Sequence, residues 1–332
     1  MKKLINNPKD IVNELIDGYV LSQKNIVKKV EGSSAVIRKD APVKDKIAII
    51  TGGGSGHEPL FLEYVGKGMA DAAAIGQIFA SPSSAIVLDA IKAANSGKGV
   101  LLVYCNYAGD ALNFDMAQDM ALDEGIKTSH VRINDDVSSG SKENSGLRRG
   151  TTVAPLVLKI AGAAASTDIK FEDLKILVQK AVDNSRSLGV SLSSLTLPET
   201  GLSTFTLEDG KMEFGMGLHG EAGIKKVDIM SADDTTKTIL DLLIDDLPFN
   251  KNDEVIVLIN SYGSTTKMEM YLVARKVHSY LAEKSISIYS TEIGEFCTSQ
   301  EMAGVSITLM KLDSELKKYY NMPCEAPGFK KL

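Results

Sequence analysis

Three stretches of the sequence carry residues that could do chemistry. In Gly215-Met216-Gly217-Leu218-His219-Gly220-Glu221-Ala222-Gly223, four glycines surround one imidazole, so the ring can stand in a narrow site. An imidazole nitrogen is a competent nucleophile toward a ketone carbonyl. In Gly52-Gly53-Gly54-Ser55-Gly56-His57-Glu58-Pro59, glycines let the backbone approach a ligand and expose its amides beside His57. The third stretch, Asn106-Tyr107-Ala108-Gly109-Asp110, offers Asp110 as a general base toward a hydroxyl. Each stretch also has a plainer reading. The first is a surface turn with an incidental histidine, the second a tight strand–helix turn. In the third, Asp110 caps a helix that starts near Leu112. The glycine-rich segment at 52–56 lacks the Lys-Ser or Lys-Thr of a phosphate loop, and His57 with Pro59 fits a dinucleotide fingerprint poorly. No nucleotide or other cofactor is expected on it. His130 and His278 read as structural, and no HxxxH, HExxH or CxxC spacing points to a metal.

The elements that must position these residues follow from periodicity. Short β-branched runs at 46–50, 99–104 and 130–133 read as strands, the first stopping at Thr51. Helical spacing occupies 84–95 and 113–123. Two more helices are expected at 153–165 and 171–187, then strands at 190–195, 204–207 and 212–218. A second alternating run follows: helix 237–244, strand 254–260, helix 267–283, and strands 286–289 and 305–310. The fold class is α/β, with two α/β domains, each a sheet flanked by helices. A chain of 332 residues is long for one core, and the division is placed at 1–187 and 188–332, the second domain carrying His219. In open α/β sheets ligands bind at the carboxyl ends of strands, which is where His57 and Asp110 fall. A Ser/Gly-rich loop at 138–145 is expected to close over a site.

Composition narrows the function classes. A net charge of −6 argues against a broad nucleic-acid surface, so no direct nucleic-acid binding is expected. Three cysteines, odd in number and far apart, fit a reducing compartment rather than a disulfide framework. The basic start is not followed by an apolar core, and no apolar run approaches a membrane span. The expectation is a cytoplasmic protein without membrane contact.

Taken together in order and spacing, several motifs go further. They are Gly52 to Pro59, Asn106 to Asp110 followed by Leu112-Asn113-Phe114, Arg148-Arg149-Gly150, and Met212 through Glu221. Cys297-Thr298-Ser299 and Ser306-Ile307-Thr308-Leu309 complete the set. The chain resembles the K subunit of dihydroxyacetone kinase from its first residues to about 320. That resemblance implies a homodimer of two-domain α/β subunits. It implies that His219 adds to the ketone carbon of dihydroxyacetone as a hemiaminal, which rejects glycerol for want of a carbonyl. It implies Asp110 as base toward the hydroxyl to be phosphorylated, His57 as a hydrogen-bond partner of the substrate, and amide contacts around Gly53 and Gly54. The nucleotide would sit on a separate L subunit, recharged by a phosphocarrier of the phosphoenolpyruvate-dependent system.

The sequence departs from the family's usual catalytic pattern around this set. Cys105 stands where Lys is usual, Ala108 where Thr is, and Ala80-Ser81-Pro82-Ser83-Ser84 where Thr-Ser-Pro-Thr-Pro is. Asn134 replaces the first residue of a common Asp triplet, and Gly263-Ser264-Thr265-Thr266 replaces Gly-Ala-Thr-Pro. Phosphoryl transfer depends on fixed positive charge near the transferring group, which a cysteine cannot supply. The departures resemble a paralogue of lactic-acid bacteria that binds dihydroxyacetone without phosphorylating it and coactivates a TetR-like regulator. A sensor and coactivator is the function expected from the sequence, with a catalytic K subunit docking an L subunit as the alternative, favoured by the retention of Asp110.

Overall fold

A computed structural model describes residues 2–332. Its contacts fall into two units built from separated stretches of chain. Lys2–Ile133, Ala154–Ala181 and Leu316–Leu332 form the first, and Asn134–Val153 with Val182–Glu315 the second. The structure thus divides the chain differently from the contiguous split at 187/188. That position lies inside the strand Ser185–Ser191, and a strand hydrogen-bonded along its length cannot be shared out without breaking its ladder.

In chain order the first unit holds α1 (Ile11–Ser22), β1 (Val27–Lys29), β2 (Val36–Arg38), β3 (Ala48–Ser55), β4 (Ala72–Ile78), α2 (Ser84–Ala94), β5 (Val100–Cys105), α3 (Ala108–Asp123), β6 (Thr128–Ile133), α4 (Ala154–Ala165) and most of α5 (Phe171–Asp183). Its sheet runs β1-β2-β4-β3-β5-β6, with β4, β3, β5 and β6 parallel. β5 is buried at every position, as a strand covered on both faces must be. Ile50, Val100 and Leu102 pack on Val87 and Ile91 of α2 and on Phe114 and Ala117 of α3. The period of two turns Ile49, Leu101 and Val103 to the other face. The wholly buried α4 packs against β3 and β5.

β4 was not expected, because its run Ala72-Ala73-Ala74-Ile75 has the propensity of a helix. Its small side chains instead match the glycines of β3, which continues past Thr51 to Ser55. A Cβ on Gly52 would lie 2.4 Å from the Ala74 carbonyl oxygen and 3.1 Å from the Phe114 ring. Just before β4, the buried Asp71 carboxylate accepts from Arg38 Nη1 at 2.9 Å, from the Ile49 amide at 2.8 Å and from Lys46.

The second unit holds β7 (Ser185–Ser191), β8 (Lys211–Phe214), β9 (Lys225–Asp228), α6 (Ala232–Asp246), β10 (Glu254–Ser261), α7 (Lys267–Glu283), β11 (Ser287–Gly294) and β12 (Gly304–Leu312). Its order is β11-β10-β12-β7-β8-β9, and every pair but β10/β11 is antiparallel. Leu188, Phe214, Val257 and Ile307 form one core with Ile239 and Leu243 of α6 and Val273 and Val277 of α7. α7 begins where the sequence expects it, behind a capping box of Thr266 and Glu269. The chain then forms α8 (Ser314–Asn321) and the hairpin β13 (Cys324–Ala326) and β14 (Phe329–Lys331), which belong with the first unit. There the Tyr319 carbonyl accepts from the buried Lys159 Nζ at 2.8 Å. Among the described residues no helix is long and apolar enough to cross a membrane.

Candidate functional site

Of the three candidate side chains, His57 and Asp110 belong to the first unit and His219 to the second. In the first unit the glycine-rich segment is strand rather than loop. A Cβ on Gly53 would lie 2.2 Å from the Phe61 ring, and one on Gly54 would lie 2.7 Å from the Ala80 amide nitrogen. These glycines are therefore demanded by close packing, whatever amides they also present. The register shifts after Gly54, the Ser55 hydroxyl donates to the Gly76 carbonyl at 2.8 Å, and the chain turns at Gly56 with φ +96°. The Gly56 amide donates to the Glu58 carboxylate at 3.0 Å, and burial pushes that carboxyl above its usual range. His57 does not stand at an exposed tip. It is 3% exposed and stacks on Phe79, ring centroids 4.7 Å apart. Phe79 itself has φ +57°, a left-handed conformation that a bulky side chain adopts only where its surroundings impose it.

Asp110 is not a helix cap. α3 begins at Ala108, Tyr107 takes the capping position without a side-chain capping bond, and Asp110 sits within the first turn, buried. The amino-terminal turn of a helix suits a carboxylate. The segment after Phe79 reaches this turn: Asn113 Nδ2 donates to Ser81 Oγ at 3.2 Å, and a Cβ on Gly109 would touch the Ser81 side chain at 3.4 Å. His57 and Asp110 thus share the carboxyl end of the β3–β4–β5 sheet, as the sequence implied.

In the second unit, His219 lies on the β8–β9 connection, its side chain 27% exposed. Glu221, two residues on, accepts from the His219 amide at 2.9 Å through Oε2 and meets the ring Nδ1 at 2.9 Å through Oε1. Burial would raise the Glu221 carboxyl, but the hydrogen bond and charge of His219 outweigh it and bring it down to about 2. An ionised carboxylate only accepts, so the proton sits on Nδ1, and the neutral form of the ring has its lone pair on Nε2. Glu221 is the functional residue that the sequence reading passed over. Its spacing of two from His219 in a glycine-rich turn was the available signal. Behind the loop, Ser299 Oγ donates to the Leu218 carbonyl, and the Gly215 amide donates to the Gly189 carbonyl at 2.8 Å.

Other motif residues have structural work. Arg148 is buried and grips Asp246 through Nη1 at 2.9 Å and Nη2 at 2.5 Å. Asp135 accepts from the Thr151 and Val153 amides at 2.6 and 3.1 Å, and burial pushes its carboxyl up. The segment 138–145, expected to close over a site, is held here by Arg148 Nε on the Gly140 carbonyl and by Lys142 Nζ on the Asp245 carbonyl. Among the described residues no group of His, Cys, Asp and Glu is arranged to hold a metal ion.

The Dak1 domain matches residues 17–328. The chain belongs to the Dak1 family. One Dak1 relative, the dihydroxyacetone-binding subunit of PTS-dependent dihydroxyacetone kinase 2 from Listeria innocua, is 44% identical over 331 residues, covering 99% of each chain. The dihydroxyacetone kinase of C. freundii, in a crystal structure with AMP-PNP and Mg²⁺, superposes with a TM-score of 0.91 at 32% identity. The match covers 99% of this chain but only 61% of the kinase chain. The dihydroxyacetone kinase operon co-activator Dha-DhaQ superposes with a TM-score of 0.90 at 29% identity, over 96% of this chain and 98% of its own. Within this Dak1 chain, Cys105 closes β5 immediately before the Asp110 turn and is 2% exposed. A thiol there adds no charge to that end of the sheet.

Proposed function

We propose that the chain captures dihydroxyacetone, or a ketone of similar length, as a hemiaminal at His219 and serves as the dihydroxyacetone-binding subunit of a kinase. The Nδ1–Glu221 hydrogen bond carries this reading, because it leaves Nε2 as the nucleophile. In the step, the Nε2 lone pair bonds to the carbonyl carbon, and the C=O π pair moves onto oxygen, which takes up a proton. The ring, substituted at Nε2 and still protonated at Nδ1, carries a positive charge that Glu221 offsets. Loss of the Nδ1 proton gives the neutral adduct. Glycerol has no carbonyl to accept the lone pair. Asp110 is assigned the role of base toward a substrate hydroxyl, with His57 as hydrogen-bond partner and Gly53 and Gly54 as amide donors.

Phosphorylation with a separate nucleotide-bearing subunit is supported by the 44% identity to the Listeria subunit over 99% of each chain and by the retained Asp110. One observation favours a second reading, a cytoplasmic sensor that coactivates a TetR-like regulator: Cys105 occupies the place of a usual lysine. Action as a homodimer is part of both readings.

The test is dihydroxyacetone phosphorylation with this chain, an L subunit, the phosphocarrier and phosphoenolpyruvate, beside an active K subunit as control. Turnover near that of the control is expected. His219→Ala should abolish both turnover and the mass increase of one ligand while leaving unfolding stability within about 0.5 kcal/mol of wild type. Ligand binding without turnover would move the output to regulation. Absence of any His219-dependent adduct would remove the capture itself.

A further inference from the structure

The Arg148-Arg149-Gly150 motif divides in the structure. Arg148 is an internal tie, but Arg149 points its guanidinium at the connection that carries His219. Its Nε donates to Asp136 Oδ2 at 3.0 Å, and Nη2 lies 2.8 Å from the same oxygen. Nη2 also donates to the Gly215 carbonyl at 3.2 Å, and Ser138 Oγ reaches that carbonyl at 3.1 Å. Gly215, at φ +77°, is the residue where β8 gives way to the connection. Nη1 stands 3.9 Å from Glu221 Oε2, within ion-pair range but too far for a hydrogen bond. Both Glu221 oxygens are already used by His219, so Arg149 adds a fixed positive charge beside the carboxylate without taking an acceptor from the ring.

We infer that Arg149 is a positioning residue for the His219 nucleophile, acting through Glu221 and the Gly215 carbonyl with Asp136 as its anchor. The inference rests on His219 as nucleophile and assigns what holds it in its reactive form. Arg149 is 15% exposed at the side chain and Asp136 7%, so their pairing is little screened. A guanidinium is planar and stays charged, so fastening one edge to Asp136 and Gly215 fixes where Nη1 lies. Glu221, at 37% exposure, would otherwise swing into water and release Nδ1. Gly217 keeps the gap between them open. A Cβ there would lie 2.1 Å from Glu221 Oε2 and 2.4 Å from Arg149 Nη1. Both are ends of flexible side chains, so Gly217→Ala should part them while leaving the backbone in place.

The experiment uses the full chain, ¹⁵N-labelled at histidine, with the His219 signals identified by their loss in His219→Gln. Ring nitrogen shifts in the ligand-free protein report the tautomer, and ¹³C-labelled dihydroxyacetone reports the rate of adduct formation. Wild type should show Nδ1 protonated and Nε2 bare. Arg149→Ala and Gly217→Ala should give a mixture of tautomers and an adduct rate lower by about tenfold, the size usual for losing a group that orients a reactive one. Arg149→Lys should recover part of that loss. Should Arg149→Ala fail to fold, Gly217→Ala decides alone. Unchanged tautomer and adduct rate in the folded variants, with only a shift in melting temperature, would reduce Arg149 to a structural tie. If wild type forms no adduct, the capture reading falls, while the ligand-free tautomer signal still decides for or against Arg149.

Discussion

The two units hold their candidate residues by different physics. His57 and the Asp110 turn are set by packing. Gly52, Gly53 and Gly54 leave no room for a Cβ, Phe79 covers the imidazole, and both His57 and Asp110 are buried. His219 instead lies on a connection held by polar contacts: its amide donates to Glu221, its ring meets the same carboxylate, Ser299 donates to the Leu218 carbonyl, and Arg149 donates to the Gly215 carbonyl. A close-packed site gains its precision from shape and loses it only if the core yields. A tethered loop gains it from a few polar contacts, and one substitution can cost reactivity with little loss of stability.

Substitutions in the packed unit should therefore show first as stability. The largest effect is expected at Asp71→Ala, which strands Lys46 as a buried cation and leaves Arg38 only its pair with the more exposed Asp40. A loss of about 3–5 kcal/mol should appear in urea unfolding. A loss near zero would mean that the first unit does not depend on its buried charges. Next comes Lys159, fully buried in α4, whose ammonium burial pushes down to about 8 from 10.5. Between those pH values the unfolded chain holds a proton that the folded chain does not, so stability rises with pH through the window. The gain should be about 2–3 kcal/mol in wild type and absent in Lys159→Met, read as the difference between their melting curves at pH 7.5 and 10.

Two further tests sharpen the contrast. Gly52→Ala drives a Cβ against the Ala74 carbonyl and should cost about 1–3 kcal/mol, whereas Gly217→Ala should stay within about 0.5 kcal/mol and show its effect in ketone capture. Equal stability losses in a side-by-side denaturation series would erase the distinction between packed and tethered glycines. The smallest effect belongs to Glu221. Its folded carboxyl near 2 lies below the usual 4.5, so its contribution is complete above about pH 4.5 and disappears as pH falls toward 2. Because the side chain is more than a third exposed, solvent limits that contribution to below about 1 kcal/mol. Glu221→Gln should flatten the acid limb of stability by that amount while slowing capture far more.

Much of this was legible beforehand where one physical signal dominated. The Lys267–Glu283 helix declared itself through its apolar spacing and cap, and β5 through an unbroken aliphatic run. His57 and His219 stood out because an imidazole among several glycines is an unusual local composition, and Asp110 because a carboxylate follows closely on a strand end. β4 was hidden because alanines carry a helical preference that only the neighbouring glycines of β3 override. The plainer reading of Asp110 as a cap fails because the helix, expected from near Leu112, starts at Ala108.

The sequence by itself determined the residue types on which the chemistry turns, the alternation of strands and helices, and the family to which the chain belongs. Each is a matter of local composition and order along the chain. Tertiary structure alone decided which segments share a unit, because residues 134–153 and 182–315 meet only through contacts far apart in sequence. It likewise decided that Glu221 faces the His219 ring and that Arg149 reaches Gly215, since a hydrogen bond depends on direction as well as proximity. Backbone path sets that direction, and no spacing in the sequence records it.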